Sequence, residues 1–426
     1  MNPLYNTGIR LYSLGVKAAA LRSRKPQLMV EGHKEVFARL ADFRSRIGNR
    51  RVLWVHAASL GEFEQGRPLI ERVRRMSPDV AILLTFFSPS GYEVRKNYKE
   101  ADCVCYLPFD TPGNARKFIA TARPDFAAFI KYEFWGNYLS ELKRNNIPTI
   151  LISAIFRPSQ SFFKPWGAMF RNMLRCYTHL FVQDEPSREL LSGIGVTNVT
   201  VAGDTRFDRV TDTMAAATCI PSIENWLAAN SGKPCVVIGS SWEQDEEVYL
   251  PLMESHSESL AIIAPHEFND ARLEKLRSRL GKERTMLFSE VKAAGDVVPE
   301  GITRIIIDCY GLLSSIYRYA SLAYIGGGFG AGIHNLTEAA VYGVPVVFGP
   351  RFGKFREARE LIACGGGFTV NSTAGLKQLV DSFIADKSRL EKAGNAAGRY
   401  IADSIGATDK ILDTLKTEYG IGSNRR

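Results

Sequence analysis

Short apolar runs alternate along this chain with longer stretches in which apolar residues return every third or fourth position. Residues 51–56, 80–86, 103–107, 126–130, 148–152, 178–182 and 199–202 read as buried strands. The stretch after the first run, to about residue 76, reads as a helix, as do 90–98, 113–122 and 135–145. One apolar run alone cannot be told from a buried helical turn, but sustained alternation predicts a parallel sheet covered on both faces. The rhythm lapses over residues 203–232. It resumes with strands at 235–238, 260–263, 285–288, 304–307, 322–325 and 344–348. A helix is expected from 376 to about 396 and a terminal helix over 399–417, with a loose end from 420 to 426. The pattern predicts an α/β protein of two Rossmann-like domains facing a central cleft. The expected limits are a leader at 1–50, a first domain at 51–205, a linker at 206–232, a second domain at 233–398 and a terminal helix and tail at 399–426.

A length of 426 residues agrees with two domains. Seven cysteines lie scattered without a CxxC or Cys/His metal spacing, which favours a reducing compartment over a disulfide framework. Cys103 and Cys105 alternate within one run and belong on one face of a strand. No stretch of eighteen apolar residues suggests a membrane span, and no secretory signal pattern is visible.

Charge changes the picture at the N-terminus. Residues 1–51 hold eleven Lys and Arg against Glu31, Glu35 and Asp42, which is +8 of the chain's +9. Tyr5, Ile9, Tyr12, Val16, Ala19 and Ala20 recur at helical spacing there, with Arg10, Ser13 and Lys17 between them. Such a helix suits an anionic membrane surface, and the competing reading packs it on its own domain. Nucleic acid is not favoured, because basic residues are not interleaved with aromatic ones.

In open parallel sheets, ligands bind beyond the carboxyl ends of the strands. The stretch from Tyr324 to Lys354 has that form: strand, glycine-rich turn, helix, strand. Gly326, Gly327 and Gly328 would let a phosphate approach the backbone, and the start of the helix expected over 334–342 would favour an anion. Glu338, four residues after His334, would share its helix face and could accept ribose hydroxyls. Ser240 and Ser241 follow another strand and could cradle phosphate. Pro265 and His266 follow the next, where His266 could meet a phosphate or a base. Arg351, Lys354 and Arg356 could meet an anion. In the first half, His56 leads into Ser59, Gly61 and Glu62. Gly61 would permit a tight turn, and Glu62 could act as general base on a sugar hydroxyl. Lys131 and Glu133 follow the fourth strand, where they read either as a functional pair or as a structural ion pair.

These residues together resemble a known family. Trp54-Val-His-Ala-Ala-Ser-Leu-Gly-Glu62, Tyr132-Glu133-Phe134-Trp135, Gly326-Gly-Gly-Phe with His334-Asn335-Leu336-Thr337-Glu338-Ala339-Ala340, and Gly349-Pro350 with Phe355 are similar to motifs of the 3-deoxy-D-manno-octulosonic acid (Kdo) transferases of lipopolysaccharide biosynthesis. The likeness runs from about residue 50 to 400. It implies a GT-B glycosyltransferase fold, CMP-Kdo as donor and a phosphorylated lipid A precursor as acceptor, with inverting transfer and neither metal nor cofactor. Glu62 would be the base and Glu133 the second essential acid. Glu338 would hold the CMP ribose, Gly326–Gly328 would lie near its phosphate, and Ser240, Ser241, Pro265, His266 and Asn335 would line the donor site. Ser59, Gly61, Lys131, Arg351 and Lys354 are the expected acceptor and anion contacts. The expected location is the cytoplasmic side of the cell inner membrane, peripheral or monotopic. One departure is plain: many members carry Arg-His where this chain has Pro265-His266-Glu267, and Arg272 lies further along. The rival readings are another GT-B enzyme, such as a UDP-sugar transferase or epimerase, and a non-catalytic sugar-nucleotide-binding protein.

Overall fold

The computed structural model describes residues 3–420, so the last residues of the expected loose tail, 421–426, lie outside the described residues. The chain divides into two compact units: residues 210–404 form one, and the chain on either side of them forms the other.

The first unit is built on a seven-stranded sheet: β1 (Val52–Ala57), β2 (Ala81–Phe86), β3 (Cys103–Tyr106), β4 (Phe126–Ile130), β5 (Thr149–Ala154), β6 (His179–Val182) and β7 (Val199–Val201). Their order is β3-β2-β1-β4-β5-β6-β7, and every pairing is parallel. β1 to β5 are buried at every position, which is why they read as continuous apolar runs rather than alternating ones. Cys103 and Cys105 are both free and buried on β3, as the alternation required. Strand order reverses between β1 and β4.

The second unit repeats the plan with β8 (Cys235–Ser241), β9 (Leu260–Pro265), β10 (Thr285–Leu287), β11 (Arg304–Ile306), β12 (Leu322–Ile325), β13 (Val346–Phe348) and β14 (Gly367–Thr369). Its order is β10-β11-β9-β8-β12-β13-β14, again all parallel. Here the reversal falls between β8 and β12. The edge strand β14 escapes the hydrophobic pattern because it follows Gly365 and Gly366. A Cβ on Gly366 would come within 2.6 Å of the Ala397 backbone, so close packing demands glycine where a strand signal would need side chains.

Several elements differ from expectation for identifiable reasons. The stretch 206–232 carries two helices, Arg206–Ala215 and Pro221–Ala229. The helix expected from residue 376 is two helices, Thr373–Ala385 and Lys387–Ser404. Asp386 ends the first and caps the second by accepting Arg389 N–H at 3.1 Å. The terminal helix begins only at Ala407, after Gly406 at φ +94°. Asp208 accepts the N–H groups of Gly406 and Thr408, both at 2.6 Å. Beyond that break Ala407, Ile411, Leu412 and Leu415 join the core of the first unit.

The leader folds as α1 (Pro3–Ala19) and α2 (Arg24–Ile47) within the first unit. Val36, Leu40, Phe43 and Ile47 bury one face of α2. Part of the apolar face expected on α1 packs on its own domain, whereas Tyr12 is 48% exposed. Tyr5, Ile9 and Val16 are half-buried, and the Tyr5 hydroxyl donates to Asp110 Oδ2 at 2.6 Å and accepts Gly136 N–H at 3.1 Å. Asp110 also caps the helix Gly136–Arg144 through Asn137 and Tyr138 N–H, and burial pushes its carboxyl up. The large apolar residues that α1 shows to solvent are Leu4, Leu11, Tyr12 and Leu14, 76%, 64%, 48% and 61% exposed, followed by Leu21 at 87%. Among the described residues, no helix is long and apolar enough to cross a membrane.

Candidate functional site

The two points of strand-order reversal are where side chains with chemistry gather, as the geometry of open parallel sheets leads one to expect. In the first unit, His56 lies at the end of β1 and is fully buried. Its Nδ1 sits 2.8 Å from Thr85 Oγ1 on the neighbouring β2, and its Nε2 lies 3.0 Å from Glu133 Oε2, just beyond β4. Glu133 is itself only 4% exposed. The Trp135 indole N–H stands 2.5 Å from the same Glu133 oxygen and 3.1 Å from His56 Nε2. That group has one proton, and the shorter approach to a carboxylate is the hydrogen bond. Nδ1 also lies 3.1 Å from the Thr85 carbonyl, and Thr85 Oγ1 accepts from Trp54 Nε1 at 2.8 Å. A carboxylate only accepts, so Nε2–H and the Trp135 N–H both donate to Glu133. Tyr177 donates its hydroxyl to the Glu133 carbonyl. The motifs around Trp54 and around Glu133, far apart in sequence, are therefore one hydrogen-bonded unit in space.

Beside it, α3 (Leu60–Met76) starts immediately after Ser59, whose hydroxyl donates to Glu62 Oε2. Glu62 is half-buried in the first turn, where the positive end of the helix dipole favours a carboxylate. Gly61 does not make a tight turn. It is the second residue of α3, exposed, with only Ser59 Oγ at 3.9 Å from where a Cβ would stand, so the helix form of this segment needs no glycine there. Lys131 takes the left-handed conformation at φ +68°, with its ammonium 5.4 Å from the centre of the Tyr132 ring. Ser153 at the end of β5 and Ser240 at the end of β8 are left-handed too, at φ +52° and +53°. Non-glycine residues adopt this region at a cost, and in each unit such residues stand at the carboxyl ends of strands.

In the second unit, Gly326, Gly327 and Gly328 follow β12. A Cβ on Gly326 would sit 2.2 Å from the Ser240 carbonyl, and one on Gly328 would sit 2.6 Å from Gly349 Cα. Gly327 is at φ +91°, and its N–H already donates to Asp245 Oδ2 at 2.8 Å. The glycines thus let three backbone segments close on one another, and the Gly327 N–H is committed to Asp245. Asp245 is the residue that sequence reading missed here. Fully buried, it also accepts Trp242 N–H at 2.9 Å and the Tyr324 hydroxyl at 3.1 Å, and so ties the turn after β8 to the turn after β12. Its signal was the acid three residues after Trp242 at the start of a helix, the spacing of a capping box.

Ser240 is half-buried. Ser241 is fully buried, its hydroxyl 3.5 Å from that of Tyr249, so it faces core rather than a cradle. Pro265 closes β9. His266 stacks on His334 with ring centres 4.2 Å apart and meets Trp242 at a tilt, 4.6 Å away. Trp242 Nε1 donates to His334 Nε2 at 2.9 Å, which places the His334 proton on Nδ1; burial and the neighbouring His266 hold its pKa below the usual histidine range. Arg272 sends its guanidinium back toward this edge, to the Ser241 carbonyl at 3.2 Å and to the buried Glu246 at 3.1 Å.

The helix expected over 334–342 is only Thr337–Ala340. His334 N–H is drawn to the Gly326 carbonyl at 3.1 Å, and Asn335 Oδ1 accepts Thr337 N–H at 3.1 Å, so the preceding residues form a turn. His334 and Glu338 therefore do not share a helix face. Asn335 donates instead to Glu338 Oε1 at 2.9 Å, leaving Glu338 half-buried and oriented. Arg351 is held by its own N–H to the Gly328 carbonyl and by its guanidinium to the Gly330 carbonyl at 2.6 Å; Lys354 stands exposed. Among the described residues, no group of three or more His, Cys, Asp or Glu side chains could hold a metal ion.

Two doubly wound parallel sheets in one chain are the architecture of the GT-B fold, and solved structures agree in fold. A UDP-GlcNAc 2-epimerase from Neisseria meningitidis matches 86% of this chain and 99% of its own, with a TM-score of 0.57 at 17% identity. A glycosyltransferase from Rickettsia africae matches 88% of this chain and all of its own, with a TM-score of 0.51 at 14% identity. At such identities the likeness is one of fold. Residues 34–209 match the family model described as 3-deoxy-D-manno-octulosonic-acid transferase. The 3-deoxy-D-manno-octulosonic acid transferases of Haemophilus influenzae and Aquifex aeolicus are each 25% identical to this chain. The first aligns over 85% of this chain and 86% of its own length, the second over 86% and 96%. Residues 34–209 thus carry the Kdo transferase domain, and the chain is similar to curated Kdo transferases along most of its length.

Proposed function

We propose that this protein transfers Kdo from CMP-Kdo to a phosphorylated lipid A precursor in lipopolysaccharide biosynthesis, with inversion at the anomeric carbon and without a metal. The observation that carries the reading is the placement of Glu62 and Glu133 together at the strand reversal of the first unit, in a chain related to Kdo transferases along most of its length. Glu62 takes the proton of the acceptor hydroxyl as that oxygen bonds to the anomeric carbon. The bond from that carbon to the CMP phosphate oxygen breaks, and CMP leaves with the electron pair. Ser59 orients the base, and Glu133, held by His56 and Trp135, supplies a fixed negative charge nearby. In the second unit, Glu338 receives the ribose hydroxyls, with the turn at Gly326–Gly328 and the side chain of His266 beside the phosphate. Arg272, already aimed at the same edge, is the candidate for the arginine absent before His266.

The acceptor is a lipid, and the reading places the enzyme on the cytoplasmic face of the inner membrane. Leu11, Leu14 and Leu21 are the apolar contacts, and Arg10, Lys17, Arg22, Arg24 and Lys25 lie among anionic headgroups. The test is mass spectrometry of the product from CMP-Kdo and a tetra-acylated lipid A precursor, with and without EDTA. A mass increase of one or more Kdo units that survives EDTA is expected. Turnover of a UDP-sugar in place of CMP-Kdo, or strict metal dependence, would replace this reading.

A further inference from the structure

Next to the strand reversal of the first unit, one surface combines features that the proposed chemistry does not use. Residues 155–176, between β5 and β6, contain Arg157, Lys164, Arg171 and Arg175 and no acid. They also contain Phe156, Phe162, Phe163, Trp166 and Phe170. The segment is built, not loose. Phe156 and Phe162 are buried, and Phe162 packs on Phe134 with ring centres 4.7 Å apart. The Arg171 guanidinium donates to the Phe162 and Lys164 carbonyls at 3.0 and 2.9 Å, and Gly167 N–H closes on the Lys164 carbonyl at 2.9 Å. A Cβ on Gly167 would fall 2.0 Å from the Ser161 carbonyl, so the loop is closed as tightly as glycine allows. At the tip of this rigid loop, Trp166 is 67% exposed, resting on Phe170 at 6.5 Å.

Holding a tryptophan in water on a braced loop has a cost that an outside partner would recover. An indole beside cations, with no acid in the segment, matches the boundary between headgroups and acyl chains, where amphipathic rings settle and Lys and Arg reach lipid phosphates. Ring contacts run from α1 through Tyr12–Phe87 at 6.3 Å to Phe87–Trp135 at 4.6 Å, and from Phe134, the chain neighbour of Trp135, to Phe162 at 4.7 Å, on to Phe170 at 6.0 Å and then to Trp166 at 6.5 Å. Loop and helix thus border one aromatic seam along the carboxyl edge of the first sheet. We propose that residues 155–176 form a second membrane contact, with Trp166 seated at the headgroup boundary of an anionic bilayer and Arg157, Lys164 and Arg175 on its phosphates. This extends the peripheral-membrane reading of α1 and has its own test. The two contacts would fix the tilt of the first unit on the bilayer, which one helix alone leaves free to roll.

The experiment measures partition of the full chain onto vesicles of phosphatidylethanolamine with and without phosphatidylglycerol. One variant carries Arg157→Gln, Lys164→Gln and Arg175→Gln, a second Trp166→Ser, and a third Leu11→Ser with Leu14→Ser. Each loop cation at the surface should contribute about fivefold to partition onto the anionic vesicles. The loop variants should therefore bind at least about tenfold more weakly, while turnover of a soluble deacylated acceptor stays at the wild-type level and reports an intact fold. Trp166 emission should shift to the blue on anionic vesicles, and that component should vanish in Trp166→Phe. Loop variants that partition like wild type, or a blue shift that persists in Trp166→Phe, would overturn the loop contact. If only the α1 variant loses binding, the loop contact falls and the α1 reading stands. If only the loop variants lose binding, the reverse holds. A wild-type chain that stays off both vesicle types removes both.

Discussion

Replacing His56 by Leu tests whether the buried pair with Glu133 organises the first unit. Leu is close in volume, so the change removes hydrogen bonds rather than packing. In the native arrangement Glu133 Oε2 receives His56 Nε2–H at 3.0 Å and Trp135 Nε1–H at 2.5 Å, in a site where His56 is fully buried and Glu133 is 4% exposed. The variant leaves a buried carboxylate with the indole alone. A hydrogen bond to a charged group is worth about 1.5–3 kcal/mol, and the buried carboxylate that loses it has no water to replace it. Thr85 keeps its bond from Trp54 and adds little. The expected loss is about 3 kcal/mol, read as a lower denaturant midpoint for the first unit. His56→Gln, which restores an N–H donor, should recover part of it. The decisive measurement is a double-mutant cycle with Glu133→Gln. Coupling of about 1.5–3 kcal/mol is expected, because each single change removes the same bond. Additive effects, or a His56→Leu chain as stable and as active as wild type, would refute the network. Where the chain remains folded, turnover should fall at least ~10-fold, since a loosened Glu133 no longer presents a fixed charge.

Glu62→Gln should bind CMP-Kdo nearly as well as wild type yet lose at least ~100-fold in turnover; retained turnover removes it as the base. Glu338→Ala should weaken CMP binding by about 1.5–3 kcal/mol in calorimetry, and an unchanged affinity would place the ribose elsewhere. Gly326→Ala forces a methyl to within 2.2 Å of the Ser240 carbonyl and should lower the stability of the second unit by about 1–3 kcal/mol, with the first unit's transition unmoved. Burial between Tyr106 and Phe109 lowers the His33 pKa to about 4; the Leu107 carbonyl opposes this, and Lys17 on α1 adds to it. The unfolded chain takes up that proton near pH 6.5. The neutral histidine's contribution is therefore complete above that pH and lost as pH falls toward 4, about 3 kcal/mol in all. His33→Gln should flatten the stability profile in that window, and an unchanged profile would show that His33 is not the group responsible.

Much of the architecture was legible because β1 to β5 and most of their counterparts are buried on both faces. Their burial writes itself into the chain as unbroken apolar runs, and the strand–helix alternation follows. The weakest elements left the weakest signals. β14 is three residues behind a glycine pair, and the helices between 206 and 232 lack a long periodic face. The breaks at Asp386 and Gly406 are capping events in which a side chain competes for backbone N–H groups, and the partner of one of them, Asp208, lies far away in sequence. At the candidate site, Glu62, Glu133, His266 and the glycine turn stood out because charged residues and glycines at strand ends are conspicuous. What they do to one another was not visible.

The sequence by itself determined the class of fold, the two-part plan, the concentration of charge near the N-terminus and the family resemblance, because each depends on patterns local to the chain. The tertiary structure decided which face of α1 is free. The helical spacing of Tyr5, Ile9 and Val16 suited a bilayer and a protein core equally, and in the fold Asp110 and Gly136 hold Tyr5. It also decided that His56 serves Glu133, that Asp245 takes the Gly327 N–H, and that Gly61 is an ordinary helical residue. The physical reason is the same in each case: hydrogen bonds between residues remote in sequence cost no pattern along the chain, so only their meeting in space reveals them.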